Sequence, residues 1–134
     1  MTIKIEPLTN AINRLEEGLT RYQRDITDTQ IRDGLIQRFE LTYELAHKTL
    51  KRFLENVSPT PDEYNHADFS YLIRSANEQG LLLKDWPAWK GYRDMRAKTS
   101  HTYDEETALE VVAGIAPFLD EARFLRDQLQ SRLA

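Results

Sequence analysis

The amino-acid sequence predicts an all-α protein, folded as an antiparallel bundle of about five helices. Apolar residues recur at steps of three and four along most of the chain, which is the period of an amphipathic helix. Only five glycines and five prolines occur among the 134 residues, as expected for helices joined by short connections. The sequence has no strand pattern, internal repeat or low-complexity segment, and we expect one domain over residues 1–134.

The first two helices are marked by long apolar stripes. Pro7 suits a first helical turn, and Thr27-Asp28 offers a break and a new cap. Helix two is expected from about Thr29 to Asn56, and Ser58-Pro59-Thr60-Pro61 ends it because proline disfavours the helical state of its predecessor. The stripe of helix one is Leu8, Ile12, Leu15, Leu19, Tyr22 and Ile26. The stripe of helix two is Ile31, Leu35, Phe39, Thr42, Ala46, Leu50 and Phe53.

Two shorter helices follow the proline-rich segment. The third is expected from about Ala67 to Gln79, with Gly80 as its C-terminal stop. The fourth starts near Asp85, a suitable N-cap, with Pro87 in its first turn, and a break follows at residues 98–102. Core or dimer packing is favoured for the aromatic side chains of helix four over stacking on bases. These aromatic residues are Trp86, Trp89 and Tyr92.

The last helix is expected to begin near Thr102 or Asp104. The run Thr102-Tyr103-Asp104-Glu105 fits a capping box, in which the Glu105 side chain returns to the cap amide. Pro117 is expected to kink this helix. Its apolar stripe is Leu109, Val112, Ala116, Leu119, Ala122, Phe124 or Leu125, and Leu129.

Composition excludes several classes of function. The chain has no cysteine, which excludes disulfides and thiolate chemistry. No run has the apolar length that spans a bilayer, and the N-terminus has no signal core, so we expect a cytoplasmic protein without membrane contact. The net charge of −4 argues against nucleic-acid binding over the whole surface, but it permits a local basic patch. The cations available for such a patch are Lys48, Lys51, Arg52, Arg93, Arg96 and Lys98.

Most standard enzyme motifs are absent from the sequence. The three histidines form no HExxH or other close ligand pair, so neither a metal site nor a cofactor is expected. No Gly-rich phosphate loop or GxSxG elbow occurs. Chemistry-bearing side chains instead concentrate in the eight residues that run from Arg96 through His101 to Tyr103.

These residues suit metal-free cleavage of RNA, in which the 2′-hydroxyl attacks the adjacent phosphate. Arg96 offers a forked cation that stabilises charge on phosphate oxygens, and His101 exchanges a proton near neutral pH. One histidine does not easily make both proton transfers, and a two-fold dimer would supply a second. The alternative is that Arg96 pairs with a nearby carboxylate and that His101 is an ordinary helix-end residue, because such spacing is common by chance.

Carboxylates of helix two are candidate partners of Arg96. Glu40, Glu44 and Lys48 follow one another at steps of four, so they share one face of the helix. They form either a solvated row of salt bridges or a contact in which Glu40 or Glu44 faces Arg96 and orients it.

The segment Arg96-x4-His101-x-Tyr103 resembles the R-x4-H-x-Y motif of HEPN domains. Over roughly residues 5–130 the chain is similar to the nucleotidyltransferase substrate-binding proteins, which are HepT-like partners of minimal nucleotidyltransferases. Two positions depart from the family pattern, Ala97 in place of a polar residue, often Asn, and His47 in place of an aromatic, commonly Trp. The other segments that carry the resemblance are residues 34–51, Arg74-x-Ala76-x3-Gly80-Leu81-Leu82, Trp89 and His101–Glu105.

The resemblance implies a homodimer with both motifs near its interface, and a minimal nucleotidyltransferase (MNT) partner within a toxin–antitoxin pair. In such pairs the HEPN protein is the candidate ribonuclease toxin, and the MNT neutralises it by adding AMP to the motif tyrosine, here Tyr103. Three hypotheses follow. The chain is an endoribonuclease that uses Arg96 and His101 from two chains on RNA, a non-catalytic subunit that presents a substrate to the nucleotidyltransferase, or a plain structural dimer. Ala97 favours the second over the first.

Overall fold

A computed structural model describes residues 3–133, and within them every regular element is helical. The predicted all-α bundle is confirmed. Short 3₁₀ turns at Pro61–Tyr64 and Thr99–His101 precede the third and fifth helices. No helix in the described range combines the length and the apolar character needed to cross a bilayer. The helices are α1 (Glu6–Arg24), α2 (Thr29–Val57), α3 (Phe69–Glu78), α4 (Trp86–Lys98), α5 (Glu105–Ala113) and α6 (Ile115–Leu133).

Helices α1 and α2 form a long hairpin around a four-residue turn. Asp28 caps α2, because its side chain accepts hydrogen bonds from the amides of Gln30 and Ile31, both at 3.0 Å. Ile26 lies in the turn and is 66% exposed. Its assignment to the apolar stripe of helix one was therefore wrong, since α1 has already ended where the period would have buried this side chain.

The core is aromatic where α4 and α6 pack on α2. Phe39 and Phe118 meet edge to face with ring centroids 5.0 Å apart, and Tyr92 meets Phe118 in the same way at 5.3 Å. Such pairs add to the stability that burial provides. Trp89 is fully buried and Trp86 is half-buried, so the aromatic residues of α4 pack inside the chain as expected.

Glu121 of α6 is a buried carboxylate that the apolar periodicity does not reveal. It is 1% exposed and accepts hydrogen bonds from the amides of Leu83 and Lys84, at 2.7 and 3.0 Å, and from the Trp89 indole at 3.1 Å. Burial raises the pKa of Glu121, while these three hydrogen bonds oppose the rise. The carboxylate joins α6 to the first turn of α4, the helix that carries Arg96.

The last predicted helix is divided at Gly114 and is not kinked at Pro117. The Met95 side chain of α4 lies against Gly114, where an added Cβ would clash with it. Pro117 falls in the first turn of α6, where the missing amide proton leaves no helical hydrogen bond unmade. The close approach of α4 therefore sets the division between α5 and α6.

The predicted capping box at the start of α5 is also wrong. Asp104 is the N-cap and accepts a hydrogen bond from the Thr107 amide at 3.1 Å. Glu105 does not return to a cap amide. Its two carboxylate oxygens accept from the Arg32 guanidinium of α2, at 2.7 and 3.0 Å. With Asp104 as the cap, Glu105 is the first residue of the helix and not the third, so it cannot close a capping box and instead forms a long-range bidentate ion pair.

Candidate functional site

The segment between α4 and α5 is a tight turn held by hydroxyl side chains. The hydroxyls of Thr99, Ser100 and Thr102 each donate to the carbonyl three residues earlier, at 2.7, 3.4 and 3.3 Å. Carbonyls at a helix C-terminus lack partners within the helix, and these hydroxyls supply them. The turn therefore ends α4 and presents His101 at the surface.

Two ion pairs anchor this turn to the bundle. Lys98 at the end of α4 contacts Glu110 of α5 at 3.0 Å. The Arg32–Glu105 pair ties the start of α5 to α2, and Arg32 itself is only 6% exposed. The hydrogen bonds to Glu105 raise the pKa of Arg32, so the cation persists despite its burial. The segment from Arg96 to Tyr103 is thus fixed at both ends.

Arg96 lies in the last turn of α4 and reaches both carboxylates that the sequence singled out on α2. Its Nη2 atom lies 2.5 Å from Glu44 Oε1 and 3.5 Å from Glu40 Oε1. Its Nη1 atom donates to the Thr99 hydroxyl at 3.2 Å. The hydrogen bond to Glu44 raises the pKa of Arg96 further, so the side chain is a fixed cation. About a third of it remains accessible to solvent.

His101 and Tyr103 form the exposed part of the motif. Their ring centroids lie 6.1 Å apart with the rings nearly perpendicular, and Tyr103 is 87% exposed. Within residues 3–133 no hydrogen bond joins either ring to Arg96. One chain therefore brings Arg96 to Glu40 and Glu44, and His101 to Tyr103, but it does not connect the two groups.

A groove of about 520 Å³ between α1 and α2 borders the Arg96 contacts. Glu40 and Glu44 line the groove as well as holding Arg96, and Leu41 between them is 49% exposed. This groove was not predicted from the sequence. An apolar side chain on the otherwise charged face of helix two was the available signal.

Comparison with known proteins assigns this chain to a family. Residues 3–131 match the family described as nucleotidyltransferase substrate binding protein like. The chain belongs to this family. Over 107 residues it is 44% identical to "Probable ribonuclease HepT" of Haemophilus influenzae. This alignment covers 80% of this chain and 72% of that relative. The resemblance stated from the motif residues is thereby confirmed.

A solved structure extends the match from sequence to fold. It comes from Haemophilus influenzae, and its description is the fold of a substrate binding domain of a nucleotidyltransferase. The TM-score is 0.89 at 36% sequence identity, with 95% of this chain and 99% of that chain covered. The segment that holds Arg96, His101 and Tyr103 lies inside the residues that match the family.

Proposed function

We propose that this member of the nucleotidyltransferase substrate-binding family is the HEPN subunit of an MNT–HEPN toxin–antitoxin pair and a metal-independent endoribonuclease. The observation that carries the proposal is a fixed cation, Arg96, followed within one short turn by the exposed side chain of His101. A phosphate can reach the first, and an RNA hydroxyl can reach the second. The identity to "Probable ribonuclease HepT" supports the same reaction class.

The proposed reaction proceeds through the RNA's own 2′-hydroxyl. One His101 takes the proton of this hydroxyl as its oxygen attacks the adjacent phosphorus. The bond from phosphorus to the 5′-oxygen breaks, and a second histidine gives that oxygen a proton. The products are a 2′,3′-cyclic phosphate and a 5′-hydroxyl. Arg96 stabilises the negative charge that develops on the phosphate oxygens, and Glu44 and Glu40 hold its guanidinium in place.

The second histidine is the reason to propose a homodimer. Each chain contributes one His101, and a two-fold axis beside the motif brings two of them to a single phosphate. Leu41, half-exposed in the groove next to Glu40 and Glu44, supplies apolar surface for such a contact. The same axis brings together the two copies of Arg96.

Tyr103 is the proposed point of control by a minimal nucleotidyltransferase. Its exposed phenol oxygen attacks the α-phosphorus of ATP, pyrophosphate leaves, and the phenol proton is lost to a base. The product carries an AMP group two residues from His101. Its bulk and negative charge occupy the space near Arg96 that the RNA phosphate needs, so cleavage stops.

A non-catalytic subunit that presents a substrate to the nucleotidyltransferase is the second candidate function. Ala97 favours it, because the position that follows the motif arginine has no polar side chain, and only its carbonyl takes part in the turn. The description of the solved structure as a substrate binding domain favours it as well.

Growth of a bacterial host distinguishes the two functions. We expect induction of this chain alone to slow growth, and His101→Ala or Arg96→Ala to relieve the effect, because each removes one half of the proposed site. His66→Ala, at an exposed histidine outside the motif, is the matched control and should slow growth like the wild type. A wild type that leaves growth unchanged, while circular dichroism shows all four proteins folded, would favour the non-catalytic subunit.

A further inference from the structure

A second group of cationic side chains lies beside Arg96 on the same pair of helices. His47 follows Glu44 by three residues on α2, and Arg93 precedes Arg96 by three residues on α4. Three residues of α-helix span about 4.5 Å along the axis, so the two groups are one step apart. A nucleic-acid strand that lies along this face therefore passes both groups.

Aromatic packing on α3 holds this group in place. The His47 ring meets the Phe69 ring edge to face, with centroids 4.7 Å apart. The guanidinium carbon of Arg93 lies 5.9 Å from the centroid of the same Phe69 ring. Lys51 follows His47 by one turn of α2 and contributes a further positive charge beside it. His47 and Arg93 therefore pack against one aromatic platform, the Phe69 ring, and Lys51 lies close enough to act on His47.

The charges in this group differ from those around Arg96. In residues 3–133, neither Arg93 nor Lys51 forms an ion pair, whereas Arg96 contacts two carboxylates. Asp68, the N-cap of α3, is a carboxylate that feels Arg93, and it accepts a hydrogen bond from the Tyr71 amide at 2.9 Å. Its charge offsets only part of the repulsion among the cations, and a bound anion would relieve the rest.

We propose that His47, Lys51 and Arg93 form a phosphate subsite, which holds a backbone phosphate of single-stranded RNA next to the phosphate at Arg96. The assignment of the strand rests on the proposed ribonuclease function. The positive charge and the side-chain contacts of the subsite are independent of that function. Bound there, the strand runs along the face shared by α2 and α4. A phosphate of ATP carries the same chemistry, and the experiments separate the two sources.

The ionisation of His47 reports on the subsite. Burial, then Lys51, then Arg93 lower the pKa of His47 below its usual value. The other ionisable groups nearby are Asp68 on the α3 side and Tyr43 beneath, whose pKa burial raises to about 12, so Tyr43 stays neutral. An anion between the two cations offsets their effect on the ring. The pKa of His47 must therefore rise when the subsite is filled.

The first experiment measures that rise by NMR titration of the imidazole protons. Sulfate is the probe, because its charge does not change over the range where histidine titrates, and chloride at equal ionic strength is the reference. We expect sulfate to raise the pKa of His47, and the resonances of the exposed His66 serve as the internal reference. An equal His47 pKa in the two salts would overturn the subsite.

The second experiment measures RNA affinity in a His101→Ala background, so that cleavage does not interfere. We expect Lys51→Gln/Arg93→Gln to weaken binding of a labelled single-stranded oligoribonucleotide about tenfold. The slope of log affinity against log salt should fall by about 0.7, which corresponds to one lost phosphate contact. The matched control is Arg21→Gln/Arg24→Gln, which removes the same charge from exposed positions of α1 and should bind like its parent.

The outcomes separate the subsite from the reaction. Reduced affinity in the Lys51/Arg93 variant but not in the control supports the subsite even if the wild type cleaves no RNA. If both double variants bind RNA equally well but sulfate still raises the pKa of His47, the RNA assignment is overturned. A rise of the His47 pKa on adding ATP would then show that the subsite binds a free nucleotide. If the Lys51/Arg93 double variant loses helical content, His47→Gln is measured in its place, and it should likewise weaken RNA binding.

Discussion

Replacing His101 with alanine is expected to lower the rate of RNA cleavage by at least about 10²- to 10⁴-fold, the usual contribution of one general acid or base, because the variant dimer loses both histidines. The imidazole lies on the turn that hydroxyl groups hold against the end of α4, and the substitution removes it without touching a buried contact. Single-turnover cleavage of an end-labelled oligoribonucleotide by the purified protein measures the effect. His66→Ala should leave the rate unchanged.

Two controls separate chemistry from binding in this measurement. An oligonucleotide with a 2′-deoxy sugar at the cleaved position should resist the wild type, because the attacking hydroxyl is missing. Affinity of His101→Ala for the intact RNA should stay close to that of the wild type. A variant that loses affinity and rate in equal proportion would show that His101 binds RNA and is not the proton-transfer group.

Co-expression with the cognate minimal nucleotidyltransferase is expected to convert the chain to a form heavier by one or more AMP units and to abolish its cleavage of RNA. The phenol of Tyr103 is 87% exposed, so the enzyme has access to it. Intact-mass analysis gives the number of groups, and fragmentation of the modified peptide gives the residue.

The tyrosines of the chain provide the control for this prediction. Tyr103→Phe should remain unmodified and active in the presence of the nucleotidyltransferase. Tyr71→Phe, at another exposed tyrosine, should be modified like the wild type. An unmodified chain that binds the nucleotidyltransferase tightly and loses activity would instead mean neutralisation by complex formation.

Local sequence patterns predict most helices of this bundle because their signals act over a few residues. Gly80, for example, adopts the left-handed φ of 77° expected of a helix stop, and Asp85 caps α4. The errors arise where a distant helix decides. Met95 of α4 lies against Gly114, between α5 and α6, and Arg32 of α2 pairs with Glu105 at the start of α5. Neither contact has a signal in the neighbouring residues.

The candidate site, too, was predictable from the sequence only in part. Arg96, His101 and Tyr103 lie together in the sequence, so the motif was visible. The choice between a solvated carboxylate row and a contact with Arg96 depended on how α4 packs on α2, which spacing along α2 does not specify. In the structure both Glu40 and Glu44 lie within ion-pair distance of Arg96. The groove around Leu41 and the platform at Phe69 likewise require several helices at once.

The most direct test of the central claim mixes wild-type chains with a ninefold excess of His101→Ala chains, with RNA in excess over both. If one site uses His101 from both chains, a mixed dimer has a single histidine and is inactive. Activity per wild-type chain should then fall about tenfold, as the fraction of fully wild-type dimers falls. Sedimentation should give twice the 15.7 kDa chain mass, and native mass spectrometry of tagged chains should show exchange. Unchanged activity per wild-type chain, with exchange complete, would contradict the composite site.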